Sequence, residues 1–160
     1  MSHHPLILVD SGILFAYYSA RDNYHNQVRS FFESCTSKLV TTPSCITEVM
    51  WLLSSNGRTQ NEFLLDVAQE LYECVSLLPK DFSRIAELNS QYADLPGDFA
   101  DLSLIAISEC LEISAIATLD SDFDVYRLYR KKTFERVFLP HQVQIQNAIT
   151  SQSGLQVYST

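Results

Sequence analysis

The sequence lacks any apolar run approaching the ~20 residues that a membrane-spanning helix requires, so no span is expected. Near its start it also lacks a basic stretch followed by a long apolar segment. The run Leu6-Ile7-Leu8-Val9 is short and stops at Asp10, which does not read as a signal peptide and makes the cytoplasm the expected compartment. Cys-x-x-Cys pairs are absent. Cys35, Cys45, Cys74 and Cys110 are too scattered for a zinc site or redox motif and read as reduced structural thiols in partly buried stretches. Basic residues are scarce, 11 Lys and Arg against 19 Asp and Glu, for a formal net charge of −8. That balance is odd for a nucleic-acid binder, because phosphate contacts favour Lys and Arg. Two explanations stay open: acid spread over the surface for solubility, or acid gathered where bound cations neutralise it.

What is present suffices for one domain. Hydrophobic residues make up 46% of the 160-residue chain, enough for a packed core. No repeat or second domain is visible. Residues 6–9 are continuously apolar, as in a strand buried on both faces of a parallel sheet. Further strands are expected at 38–42, 75–78, 114–119 and 134–139. Helices are expected from Ile13, over 23–35 with Asn23 as cap, from Pro43 with Ser44 as cap to a stop at Gly57, over 59–74, over 81–93, after Asp98, and over 122–130. Leu95-Pro96-Gly97 reads as a turn. Strands alternating with helices predict an α/β, three-layer, Rossmann-like fold, with about five parallel strands and helices on both faces. Residues 1–140 form the expected domain. Residues 141–160 are a polar tail, with a hint of a short edge strand at Val143 and Ile145.

In an open parallel sheet, ligands bind outside the carboxyl ends of the strands, where strand order reverses. Asp10 follows the first strand directly, and Asp120 follows the fourth in the same way. Asp98 and Asp101 lie at a helix start, where a cap and a first-turn acid are expected in any case. Glu48 sits among apolar neighbours in Ile46-Thr47-Glu48-Val49-Met50, so it must lie on an exposed stripe, be paired, or bind a metal. Clustered carboxylates suit hard divalent cations such as Mg²⁺ and Mn²⁺, and a metal so held is the basis of a phosphodiesterase site. Trp51, Phe63 and Tyr72 read as core or interface, and His25 as a structural histidine. Tyr126 and Tyr129 beside Arg127, Arg130, Lys131 and Lys132 suit base stacking and phosphate contacts, or simply a solvated basic face. Two other phosphoryl-handling patterns are missing. Gly12 occupies the second Asp position of a D-x-D motif, and Ser11-Gly12 supplies no acidic pair after the first strand.

Five stretches in order, Leu8-Val9-Asp10-Ser11, Asp22-Asn23-Tyr24-His25, Thr42 to Val49 (TPSCITEV), Asp98 to Leu104 (DFADLSL) and Ala117 to Phe123 (ATLDSDF), give the chain a clear resemblance to the PIN-domain family, close to its VapC-like toxin branch. The resemblance covers roughly residues 5 to 140. It implies an endoribonuclease dependent on Mg²⁺ or Mn²⁺ that leaves a 5′-phosphate and a 3′-hydroxyl. It implies Asp10, Asp101 and Asp120 as metal ligands and Glu48 as a ligand directly or through water. Ser11 and Thr118 would orient ligands or water, and Asp98 and Asp122 would add a ligand or serve only as caps. Ser11-Gly12 departs from the family's commoner Thr-Ser. RNA as substrate, a small antitoxin protein and a second copy of the chain are the implied partners. The alternative is a catalytically silent module of the same fold that binds RNA or protein.

Overall fold

The structure is a computed structural model and describes residues 4–95 and 97–140. It contains β1 (Leu6–Val9), α1 (Ser11–Tyr18), α2 (His25–Ser34), β2 (Lys38–Thr41), α3 (Pro43–Leu52), α4 (Gly57–Ala68), β3 (Tyr72–Cys74), α5 (Pro79–Gln91), α6 (Phe99–Leu111) and β4 (Ala115–Ala117). A 3₁₀ turn (Ser121–Asp124) and the short strands β5 (Arg127–Leu128), β6 (Lys132–Thr133) and β7 (Glu135–Arg136) follow. The main sheet has five strands in the order β3-β2-β1-β4-β7, and every neighbouring pair is parallel.

The period-two alternation of a strand sends successive side chains to opposite faces. Leu8, Val40 and Ile116 therefore enter one core with Ile85 and Leu88 of α5 and Leu104 and Ile105 of α6. Ile7, Val9, Leu39, Ala115 and Ala117 enter a second core with Ile13, Leu14, Val28, Val49 and Phe63 of the first four helices. This is the expected three-layer α/β arrangement. From β1 the chain steps outward through β2 and β3, then returns to lay β4 on the other side of β1. Strand order thus reverses between β1 and β4, and a crevice opens at their carboxyl ends.

Several local expectations are corrected. The helix expected from Ile13 starts at Ser11, because the Asp10 side chain caps it by accepting from Ile13 N. Asn23 does not cap α2; Tyr24 precedes it without a side-chain bond. Thr42, not Ser44, caps α3, with Pro43 in the first turn where its missing N–H is harmless. Gly57 opens α4 instead of ending α3, since Asn56 accepts from Thr59 N. That helix ends at Ala68, and Glu70 takes a left-handed φ of 59° that turns the chain into β3. The third strand is Tyr72–Cys74 rather than 75–78; Val75 and Leu77 pack against the α5–α6 core instead. The helix expected over 122–130 is the 3₁₀ turn followed by an antiparallel β5–β6 hairpin, with Tyr129 and Arg130 both at positive φ in its turn. Cys45 is buried and Cys35 half-buried, but Cys74 and Cys110 are exposed. Pro96 of the expected turn, the polar tail and its edge strand at Val143 and Ile145 lie outside the described residues. Among the described residues no helix is long and apolar enough to cross a membrane.

Candidate active site

The crevice holds a cavity of about 300 Å³ lined by Asp10, Ser11, Gly12, Glu48, Asp98, Asp101, Leu119 and Asp120. Each acid arrives on a different device. Asp10 is the residue after β1, and its Oδ1 accepts from Ile13 N at 2.8 Å. Asp120 is the third residue after β4, and its Oδ1 accepts from Asp122 N at 2.8 Å. Asp98 caps α6 and accepts from Asp101 N at 2.9 Å, which sets Asp101 in the first turn. Glu48 lies on α3 and accepts from Ser11 Oγ at 2.5 Å.

Thr118 ties the two central strand ends together. Its hydroxyl accepts from Asp120 N at 2.9 Å and donates to Asp10 Oδ2. Because the hydroxyl has one proton, accepting from the amide leaves that proton for the carboxylate. The buried hydroxyls of Thr42 and Ser103 lie 2.8 Å apart and join the start of α3 to α6. The helix bearing Glu48 is thereby registered against the helix bearing Asp101.

The electrostatics of the cavity are one-sided. Burial pushes the Asp10 carboxyl up to about 6, with hydrogen bonds from Thr118 and Ile13 opposing and the charges of Asp120 and Glu48 adding. Burial, then Asp98, Asp120, Asp10 and Glu48, push Asp101 up to about 8. Among the described residues none of the five acids forms an ion pair with Lys, Arg or His. The all-oxygen, uncompensated donor set is what a hard dication fits. Among the described residues no three of these side chains already converge as a finished metal cluster; the acids line a cavity and do not yet meet at one point.

A pH prediction follows for metal-free protein. An acid whose pKa is raised on folding binds its proton more tightly in the native state, so stability falls as pH climbs through that interval. With Asp10 raised from 3.8 to about 6 and Asp101 to about 8, the loss runs from about pH 4 to about pH 8. Glu109, where burial is outweighed by the hydrogen bonds and charge of Arg84 and the Tyr129 N–H, is lowered and has the opposite sign, but its stabilisation is complete above the ordinary 4.5. Thermal melts in EDTA should therefore drop between about pH 5.5 and pH 8.5, and the gain from added Mg²⁺ or Mn²⁺ should be larger at the higher pH. A flat or rising melting temperature in EDTA across that range would contradict the assigned carboxylate environment.

The sequence profile described as PIN domain matches residues 7–128. The chain belongs to the PIN-domain family. Among the solved structures that share its fold are two with toxin descriptions. One is the crystal structure of Mycobacterium tuberculosis VapC20, described as a Sarcin-Ricin loop cleaving toxin, with a TM-score of 0.69 and 17% identity over 74% of this chain and 93% of that one. The other is a toxin-antitoxin complex from Klebsiella pneumoniae, with a TM-score of 0.58 and 15% identity over 82% of this chain and 99% of that one. No curated protein sequence matches.

Not every residue expected at the site of this PIN domain lines the cavity. Asp122 gives its backbone N–H to Asp120, and its carbonyl accepts from Tyr126 N. His25 Nδ1 donates to the Ala16 carbonyl and joins α2 to α1. The β5–β6 hairpin is anchored at Glu109, whose Oε1 accepts from Tyr129 N at 2.8 Å. Glu109 stands roughly 12 Å along α6 from Asp101 at 1.5 Å per residue. Arg130, Lys131 and Lys132 are exposed there. Arg127 differs: its guanidinium donates to the carbonyls of Asp124, Val125 and Tyr126. Tyr126 is fully buried and cannot stack on a base, whereas Tyr129 is exposed. Phe63 and Tyr72 are core, but Trp51 is 73% exposed, which excludes the core half of its core-or-interface reading. Arg136 also has a structural task, since it donates to the Thr118 carbonyl at 3.3 Å and to Asp124 Oδ2 at 2.9 Å.

Proposed function

We propose that the chain is a Mg²⁺- or Mn²⁺-dependent endoribonuclease acting as the toxin of a toxin–antitoxin pair. The observation that carries this reading is the gathering of Asp10, Glu48, Asp101 and Asp120 around one cavity at the strand-order reversal, with no Lys, Arg or His lining it among the described residues. Membership of the PIN-domain family and the toxin descriptions of the two fold neighbours support it.

Asp10, Asp101 and Asp120 would hold the ion, and the fixed Thr118 and Ile13 contacts orient Asp10 for that role. A bound ion neutralises charge on the phosphate oxygens and eases deprotonation of an attacking water. Glu48, steered by Ser11, either completes the ion's oxygen ligands or accepts the proton of that water. Asp98 belongs to the rim, and Asp122 serves as a backbone prop. Arg130, Lys131 and Lys132 would grip RNA phosphates away from the scissile bond, while Arg127 supports the hairpin. The same reading takes residues 1–140 as the catalytic domain and 141–160 as an appended segment. It carries a small antitoxin and a homodimer as partners and the cytoplasm as the working compartment.

The test is cleavage of RNA oligonucleotides by purified protein with Mg²⁺ or Mn²⁺, with EDTA, and with the Asp10→Asn variant. Cleavage should require metal and be lost in the variant. Metal binding without cleavage of any RNA would favour the catalytically silent alternative. Equal cleavage by wild type and variant would sink the assignment.

A further inference from the structure

A second concavity, of about 560 Å³, adjoins the acid cavity. Pro43, Thr47, Trp51 and Phe99 line it, and it shares Glu48 and Asp98 with the acid cavity. Trp51 lies three residues after Glu48 on α3, so the two side chains are neighbours on one helix face. Phe99 follows Asp98 at the start of α6 and is braced by Phe82, with ring centroids 6.1 Å apart and planes 25° from parallel. The indole is 73% exposed and the Phe99 ring 47% exposed. Tryptophan ordinarily buries about 150–250 Å² of surface, so such display beside a charged cavity leaves a planar apolar platform uncovered.

We propose that this groove is a nucleobase subsite, in which an unpaired base of the RNA strand stacks on Trp51 while the adjoining backbone phosphate occupies the acid cavity. The inference rests on the ribonuclease reading of that cavity. The chemistry of the rim selects the base over other parts of a nucleotide. In the groove, away from an ion held in the acid cavity, Glu48 and Asp98 repel phosphate, whereas a base is uncharged and every base offers a π face to an aromatic ring. Continuity selects RNA over a protein segment. A strand whose phosphate enters the acid cavity must carry its next nucleotide out across a rim, and Glu48 and Asp98 form the rim that leads to Trp51. A base paired in a duplex presents only its edges, so the subsite confines the substrate to single-stranded or looped RNA.

Trp51 is the sole tryptophan of the chain, so intrinsic fluorescence reports from the groove itself. Wild-type protein in Mg²⁺ is mixed with an unstructured RNA oligonucleotide, the same RNA as a duplex, and an oligonucleotide of equal length with abasic sites. Quenching should appear with the unstructured RNA and be weak or absent with the other two. In cleavage assays Trp51→Ala should raise KM about tenfold, as loss of one stacked base predicts, with kcat little changed. Trp51→Phe should recover most of that loss. Unchanged KM in Trp51→Ala together with no quenching overturns the subsite and leaves the ribonuclease reading standing. A shift in sedimentation of Trp51→Ala from dimer to monomer without base-dependent quenching overturns it too, and makes the groove a surface for a second copy. If wild type cleaves nothing, the ribonuclease reading fails, and quenching alone decides the subsite: base-dependent quenching supports it, and its absence overturns it.

Discussion

Asp101→Asn should lower metal-dependent RNA cleavage by at least about a hundredfold and, in the same preparation, raise the melting temperature of the metal-free protein at about pH 9. The two effects have one cause. The Asp101 carboxyl is pushed up to about 8 by burial and by Asp98, Asp120, Asp10 and Glu48. Above that pH it carries a charge that only a cation relieves. Among the described residues its side chain accepts no hydrogen bond, whereas Asp10 accepts from Ile13 and Thr118. An asparagine of the same shape therefore removes repulsion without orphaning a donor. The ion loses a ligand, so cleavage falls and the metal-induced rise in melting temperature shrinks. An acid kept merely to complement the helix dipole would behave oppositely, since its removal would lower stability. Calorimetry in EDTA and with Mn²⁺, beside a cleavage assay, separates the two. A less stable variant that still cleaves would remove Asp101 from the site.

Gly97→Ala should destabilise the fold by about 1–3 kcal/mol and also impair cleavage, although residue 97 is no ligand. A Cβ there would stand 2.5 Å from the Tyr126 hydroxyl, 3.3 Å from Tyr126 Cζ and 3.4 Å from Leu102 Cδ2. Tyr126 cannot retreat. It is fully buried, with Tyr92 and Phe123 packed edge-on at 5.0 and 5.3 Å. The strain passes instead to the next residue, Asp98, and through it to the first turn of α6, which bears Asp101. Tyr126→Phe alone should be close to neutral, because the hydroxyl is buried without a hydrogen-bond partner among the described residues. Combined with Gly97→Ala it should restore part of the lost stability, the Cζ contact remaining tight. A double-mutant cycle by denaturant unfolding measures that coupling. Additive losses would mean that the helix start is not pinned by this contact.

The legible parts of the fold share a physical reason. β1 and β4 are buried on both faces, so their runs are apolar without interruption, and Asp10 and Asp120 beyond their ends stand out. β3 was harder to read, because it has a burial pattern of one buried, one half-buried and one exposed residue at Tyr72–Cys74, while the more apolar Val75 to Leu78 pulls the expectation past it. The β5–β6 hairpin was hidden because its turn places Tyr129 and Arg130 at positive φ, where Gly or Asn would have announced it. At the site, Asp10 and Asp120 could be placed by strand ends alone, and Asp101 and Glu48 needed the family resemblance. The Thr118 contact with Asp10 spans 108 residues, and no local pattern encodes such a pairing. The exposure of Trp51 was equally invisible, since a tryptophan in an apolar helix reads as core or interface alike until the packing around that helix is known.

The position of β1 in the sheet also fixes when the protein becomes competent during its synthesis. β1 emerges early, yet its neighbour β4 is made more than a hundred residues later, after Asp101 and just before Asp120. A growing chain therefore carries β1 with one open edge and only part of its acid set. Chains that stall before β4 expose that apolar edge and are prone to aggregate. The acid cavity is therefore incomplete until nearly the whole domain has left the ribosome.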